Sequence, residues 1–136
     1  THGIGDRPSA AETQPETTIR PPQTPLAMDL TTYQTRARET ALYPQVGANP
    51  IYPTLGLCGE AGEVADKVKK VLRDRQGSFD AAVIDDLRLE LGDVLWYVAQ
   101  LASELGLDLG EIAEANLAKL ASRAARNVIG GSGDRR

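Results

Sequence analysis

Downstream of Thr31, apolar residues recur at three- and four-residue spacing. No stretch alternates with the two-residue period of a half-buried strand. Thr31-Thr32-Tyr33-Gln34 reads as a capping box, with Gln34 as its reciprocal partner, opening a short helix that runs to about residue 41. Tyr43-Pro44 and residues 47–53 read as a loop. A long helical pattern covers 54–75 and is broken by Gln76-Gly77-Ser78. A second covers 80–105. Gly106-Leu107-Asp108 then forms a turn with Asp108 as N-cap. A last helix runs to about Ile129 and stops at Gly130-Gly131. The pattern therefore predicts an all-α bundle of one short and three long helices.

Residues 1–27 break the pattern. Pro8, Pro15, Pro21, Pro22 and Pro25 sit among Thr, Ser, Ala and Gln, with few large apolar residues. Such a segment buries too little surface to offset its ordering entropy, so it reads as a tail. The domain is expected over 28–136, and Met28 is a candidate natural start.

On a wheel of about 100° per residue, each long helix carries an apolar stripe. In the first it is Leu57, Ala61, Val64, Val68, Val71 and Leu72; in the second, Leu87, Leu91, Val94, Leu95, Val98 and Leu101; in the third, Ala113, Leu117, Leu120, Ala121 and Ala124. At one edge of each stripe sits a polar i, i+3 pair with a further side chain at i+7. These are Glu60, Glu63 and Lys67; Glu90, Asp93 and Tyr97; and Asn116, Lys119 and Arg123. The wording repeats too, Glu60-Ala61-Gly62-Glu63-Val64 against Glu90-Leu91-Gly92-Asp93-Val94. Glycine inside a helix costs about 1 kcal/mol relative to alanine, so Gly62 and Gly92 are expected to permit close helix approach. Trp96 falls off its stripe and is expected at a subunit interface, with stacking on a base as the alternative. Cys58, near its stripe, is expected to be a buried, inert thiol.

Charge and composition narrow the function. Fifteen Lys and Arg against 19 Asp and Glu give a formal charge of -4, which does not suggest a nucleic-acid surface. No apolar run approaches the roughly 18–20 residues that span a bilayer, and the N-terminus has no signal-like apolar region. A single cysteine forbids an internal disulfide and fits a reducing cytoplasm. The only histidine, His2, lies in the tail.

The four carboxylates carry the chemistry. One ExxE pair on a helix is ordinarily a solvated face. Two such pairs on consecutive helices, both beside the core, would repel each other unless compensated. A hard divalent cation resolves this, and oxygen-only ligands suit Mg²⁺, or Mn²⁺, over Zn²⁺. Mg²⁺ also accepts phosphate oxygens, and Lys119 and Arg123 would meet their charge. The bland role of Lys67 is an i, i+4 surface pair with Glu63. Tyr97, on the carboxylate edge, is a candidate nucleoside contact. A di-iron bundle normally wants Glu-x-x-His pairs, and 28–136 contains no histidine.

These residues resemble the MazG-like family of all-α nucleoside triphosphate pyrophosphohydrolases. The signature is Glu60-x-x-Glu63 followed, after 26 residues, by Glu90-x-x-Asp93. The segment from Tyr52-Pro53-Thr54-Leu55-Gly56 to Val64 is similar to the family's first metal helix, and Glu90 to Tyr97 to the second. Asn116-Leu117-Ala118-Lys119-Leu120 with Arg123 is similar to its phosphate-facing helix, and the Gly131–Arg136 tail to that of shorter, phage-like members. One departure is Gly59, where many members carry a further acid.

The resemblance implies Mg²⁺ on Glu60, Glu63, Glu90 and Asp93, with Glu60 or Glu63 orienting the water. It implies substrate contacts from Lys67, Tyr97, Asn116, Lys119 and Arg123. The expected reaction cuts a (deoxy)nucleoside triphosphate to monophosphate and pyrophosphate, for house-cleaning or pool control. A homodimer or homotetramer is expected, with no nucleic-acid or membrane partner. Three alternatives stay open: a dUTP or dCTP hydrolase, a phosphoribosyl-ATP pyrophosphohydrolase, and a non-catalytic nucleotide-binding helical dimer.

Overall fold

In a computed structural model of the chain, the structure describes residues 27–126. The described residues form four helices and no strand: α1 (Leu30–Arg38), α2 (Ile51–Arg75), α3 (Ala81–Glu104) and α4 (Leu109–Ala125). The expected tail over 1–27, but for its last residue, and the Gly130-Gly131 stop lie outside the described residues.

The helix boundaries follow from caps. Asp80 accepts from the Val83 N–H at 3.0 Å and Asp108 from the Glu111 N–H at 3.0 Å, each satisfying an orphan donor of its helix's first turn. The α1 cap differs from the capping-box expectation. Asp29, not Thr31, accepts from the Thr32 N–H. Gln34 is thereby released from capping and bridges to the far end of α3. Its Nε2 donates to Ser103 Oγ at 3.0 Å and Leu107 O at 2.9 Å, and its Oε1 accepts from the Leu109 N–H at 2.7 Å. α2 starts three residues earlier than expected, because Asn49 Oδ1 accepts from the Tyr52 N–H at 3.1 Å. Pro53 sits in that first turn, where a missing N–H costs nothing. α2 ends where Gln76 and Gly77 turn to φ of 52° and 79°.

α2 and α3 pack along their length as an antiparallel hairpin, and α1 lies across α3 and the start of α4. The buried cluster is Ala37, Ala99 and Leu109, with Leu30, Tyr33, Trp96 and Val98 packed against it. Trp96 thus has a partner inside the chain. Its Nε1 donates to Thr40 Oγ1 at 2.8 Å, and its ring meets Tyr97 edge-on at 5.0 Å. It leaves the stripe because α3 has two neighbours, and α1 takes the second face.

A second polar knot closes the end of the bundle. The Glu104 side chain is fully buried. Glu104 Oε1 accepts from Arg38 Nη2, Tyr43 Oη and the Gly47 N–H, and Oε2 from the Asn49 N–H, at 2.5 to 3.0 Å. Arg38 Nη1 also donates to Gln100 Oε1 at 2.9 Å. Burial would raise the Glu104 carboxyl. The Gly47 N–H, the Tyr43 hydroxyl, the Asn49 N–H and Arg38 outweigh it and hold the group at about 2.

Only part of each expected stripe is covered. Val71 is buried, and Leu57, Val64, Val68, Leu87, Val94, Val98 and Leu101 are half-buried. Leu72, Leu91, Leu117 and Leu120 are exposed, Leu91 at 56% and Leu117 at 66%. Cys58 is exposed too, against expectation, because it lies on the outer side of α2. No described helix is long and apolar enough to cross a membrane.

Candidate functional site

The α2/α3 hairpin brings the two acid pairs together. Positions 60, 63, 67, 70 and 74 lie on one face of α2, and 97, 93, 90, 86 and 83 on the facing side of α3, running the opposite way. Glu60, Glu90 and Asp93 each offer a carboxylate oxygen within 4.8 Å of the others. Opposite ligands of octahedral Mg²⁺ stand about 4.2 Å apart at bond lengths near 2.1 Å. The three acids therefore fit a hard cation with only small side-chain adjustment. Glu63 is not in this group; its charge still reaches Glu60.

The electrostatics carry the mark of crowding. The Glu60 carboxyl is pushed up, first by burial and then by the charges of Asp93, Glu63 and Glu90. Lys67 Nζ stands 3.1 Å from Glu90 Oε1, and that hydrogen bond raises the Lys67 ammonium above its ordinary value. Lys67 thus pairs across the hairpin with Glu90, where the surface reading paired it with Glu63.

The other end of the group is aromatic. Tyr97 lies beside Glu60 and Asp93, and its phenol is raised by burial first, then by Tyr52 and those two acids. Tyr52 stacks on Tyr43, with ring centres 4.9 Å apart. Tyr33 of α1 is raised likewise by burial and by the Asp93 charge. Tyr52 and Tyr33 are absent from the sequence-based site. A proline three residues into a helix was the available sign for Tyr52, and Tyr33 depends on a packing of α1 that no local pattern encodes.

The close-approach glycine is Gly56. A Cβ there would come within 2.1 Å of Cε1 of Tyr97, whereas one at Gly62 or Gly92 meets nothing within 4 Å. The expected role of Gly62 and Gly92 in close helix packing is not met within this chain. Gly56→Ala should destabilise the protein by about 1–3 kcal/mol through overpacking. Gly59→Ala, facing open space, should stabilise it by roughly 0.5–1 kcal/mol. Urea melts of the two variants check both signs; Gly56→Ala as stable as Gly59→Ala would contradict the packing.

α4 packs principally on α1. Asn116 and Lys119 line a shallow depression with Ile112 and Ala115. The principal packing thus does not seat Asn116, Lys119 and Arg123 on the α2/α3 seam.

Comparison with known proteins decides the family. Residues 52–127 match the model of the MazG nucleotide pyrophosphohydrolase domain, a span that contains all four motif acids. This chain belongs to the MazG family. A relative of this MazG chain is the Gene 37 protein of Mycobacterium phage L5, 51% identical over 114 residues, covering 80% of this chain and 100% of that protein. No solved structure matches. The all-α architecture is consistent with that match, and nucleotide pyrophosphohydrolase is the activity that family membership suggests.

Proposed function

We propose that the chain hydrolyses a nucleoside triphosphate between the α and β phosphates, releasing monophosphate and pyrophosphate with a divalent cation, Mg²⁺ or Mn²⁺. The observation that carries the reading is the convergence of Glu60, Glu90 and Asp93 to within 4.8 Å of one another, close to the span of one cation's ligands, inside a MazG domain. When bound, the cation supplies positive charge to the phosphate oxygens and lowers the pKa of water. Glu60, Glu90 and Asp93 hold it. Glu63, one turn from Glu60 and outside the grouped three, accepts the proton of the attacking water; Glu60 is the alternative base. Tyr97, backed by Trp96 and Tyr52, offers a flat, half-buried wall for the nucleoside. Lys67 faces phosphate.

The substrate is a (deoxy)nucleoside triphosphate, with removal of surplus or modified nucleotides as the role and the cytoplasm as the setting. The experiment is product analysis over a panel of triphosphates, including dUTP, dCTP and phosphoribosyl-ATP, with Mg²⁺ and with EDTA. Monophosphate plus pyrophosphate in Mg²⁺, and no turnover in EDTA, is expected. Single phosphate as product would contradict the cleavage position, and metal-dependent binding without turnover would favour a nucleotide-binding module.

The exposed leucines support assembly. Leu72 and Leu91 on the hairpin and Leu117 and Leu120 on α4, all at apolar-stripe positions, stay in water, and apolar stripes left exposed mark association surfaces. We infer a homodimer or dimer of dimers in which α4 of one copy covers a hairpin face of another, delivering Asn116, Lys119 and Arg123 toward the phosphates. Sedimentation equilibrium should give twice or four times the 14.6 kDa chain mass. Leu117→Glu should shift the protein to monomer; a wild-type monomer throughout would overturn the inference.

A further inference from the structure

The buried Glu104 knot is joined to the aromatic side of the acids. Asp93, Tyr97, Gln100 and Glu104 follow one another at three- and four-residue spacing, so they share one face of α3. Glu104 stands about 10 Å along the helix from Tyr97. From that face it grips the loop between α1 and α2. It accepts from the Gly47 N–H at 2.9 Å, from the Asn49 N–H at 3.0 Å and from the Tyr43 hydroxyl. Gln45, inside the gripped loop, stands at φ 59°. Left-handed backbone is disfavoured for a residue with a Cβ, so the loop's shape depends on what holds it.

Two of the gripped residues bear directly on the rings. Asn49 Oδ1 accepts from the Tyr52 N–H at 3.1 Å and fixes the first turn of α2. The Tyr43 ring stacks on Tyr52 at 4.9 Å, with planes 14° apart, and meets Trp96 edge-on at 6.4 Å. Trp96 in turn meets Tyr97 edge-on, and Tyr52 shares a hydrogen bond with the Tyr97 phenol. Tyr43, Tyr52, Tyr97 and Trp96 thus close a circuit of four rings. Tyr97 is its corner beside Glu60 and Asp93, and Tyr43 is its corner bonded to Glu104. Tyr97 has no slack toward α2, since it lies directly over Gly56.

We propose that Glu104 and Tyr43 are positioning residues for the nucleoside. Through the loop and the Tyr43–Tyr52 stack they set where Tyr52 and Tyr97 stand, and so set affinity for the nucleoside part of the substrate without touching it. The inference rests on the reading of Tyr97 as the nucleoside wall. Glu60, Glu90 and Asp93 are carried by α2 and α3 themselves, so the metal and the phosphates fall outside the reach of this device.

The test is steady-state kinetics of the full chain well below its melting temperature, with inorganic tripolyphosphate as a probe that lacks a nucleoside. Tyr43→Phe keeps the ring and removes its tie to Glu104. It should raise KM for the preferred triphosphate by about three- to tenfold. It should leave kcat within about twofold, and inhibition by tripolyphosphate with Mg²⁺ as in wild type. Glu104→Gln should raise KM at least as much, and the double variant no more than Glu104→Gln alone, because both cut one tie. A merely structural role would lower kcat with the active fraction and leave KM in place, which overturns the proposal. A parallel loss of tripolyphosphate affinity overturns it too. A second readout needs no turnover. Amide hydrogen exchange across residues 47–52 should quicken by about three- to tenfold in nucleotide-free Tyr43→Phe, and stay as in wild type across 86–94. Unchanged exchange in the loop breaks the link from Glu104 to Tyr52. Failure of the underlying reading looks different: Tyr97→Leu would then leave KM as in wild type, and the positioning role falls with it. If Tyr97→Leu raises KM and Tyr43→Phe does not, the positioning alone is wrong.

Discussion

Glu60→Gln should abolish hydrolysis, by more than about 100-fold, while making the metal-free protein melt at a higher temperature. The two effects have one cause. Replacing even outer-shell partners of a metal typically costs about 10- to 100-fold, and Glu60 is placed to touch the ion itself. Yet without a cation the carboxylate is a liability, since burial and the charges of Asp93, Glu63 and Glu90 push its pKa up. The sign follows from linkage. An acid whose folded pKa exceeds its unfolded value of 4.5 leaves the folded state binding more protons. Its contribution to stability falls as pH rises from that value through the folded one, and stays lost at neutral pH. A neutral Gln removes the penalty. Differential scanning calorimetry in EDTA and in excess Mg²⁺ reads both effects: the variant should melt above wild type in EDTA, and Mg²⁺ should raise the wild type only. A variant melting lower in EDTA would show that Glu60 contributes packing and not charge strain.

Glu104→Gln should cost about 3 kcal/mol, near the lower end of what breaking a buried ion pair costs, because Arg38 keeps some access to water. For a domain of this size that is a fall in Tm of more than about 10 °C. The amide keeps the shape but loses the charge. One of its two polar ends must also turn a donor toward groups that themselves donate, namely Arg38, Tyr43 and the Gly47 and Asn49 N–H groups. The acid dependence runs opposite to that of Glu60. Glu104 is held at about 2 against 4.5, so its contribution is fully present above pH 4.5 and is lost as pH falls from there toward 2. Acid titration of stability should show a descending limb over that window in wild type and a shallower one in Glu104→Gln. Equal limbs would assign acid unfolding to other carboxylates.

The grouping of three acids at the candidate site was legible in sequence because helix periodicity and charge are both local signals. Two i, i+3 acid pairs beside two apolar stripes can meet in few ways when a short turn joins the helices, and Glu60, Glu90 and Asp93 do meet. The Asp108 cap, whose reach is short, was read correctly for the same reason. What failed depended on distance in sequence. Gln34 joins residues 69 to 75 positions away, and its capping-box pattern gave no hint of them. The contact of Trp96 with α1 was not foreseen, because a wheel knows one neighbour per helix, while α3 has α2 on one side and α1 on the other. Gly62 and Gly92 drew notice by repeating inside a motif, yet the glycine under an aromatic ring is Gly56. Cys58 erred by a small rotation, enough on a helix to exchange the inside for the outside.

The position of Trp96 has an optical consequence. It is the chain's one tryptophan, and its indole lies edge-on to Tyr97, itself a neighbour of Glu60 and Asp93, and to Tyr43 at 6.4 Å. Tyrosine excitation will pass by resonance transfer to this single indole, so nearly all emitted light originates at the junction of α1 and the acid-bearing hairpin. A cation or nucleotide binding at the acids as proposed should perturb Tyr97 and, through it, that indole. A shift of tryptophan emission on titrating Mg²⁺ or nucleotide into wild-type protein, with no dye added, is therefore the expected optical sign of occupancy.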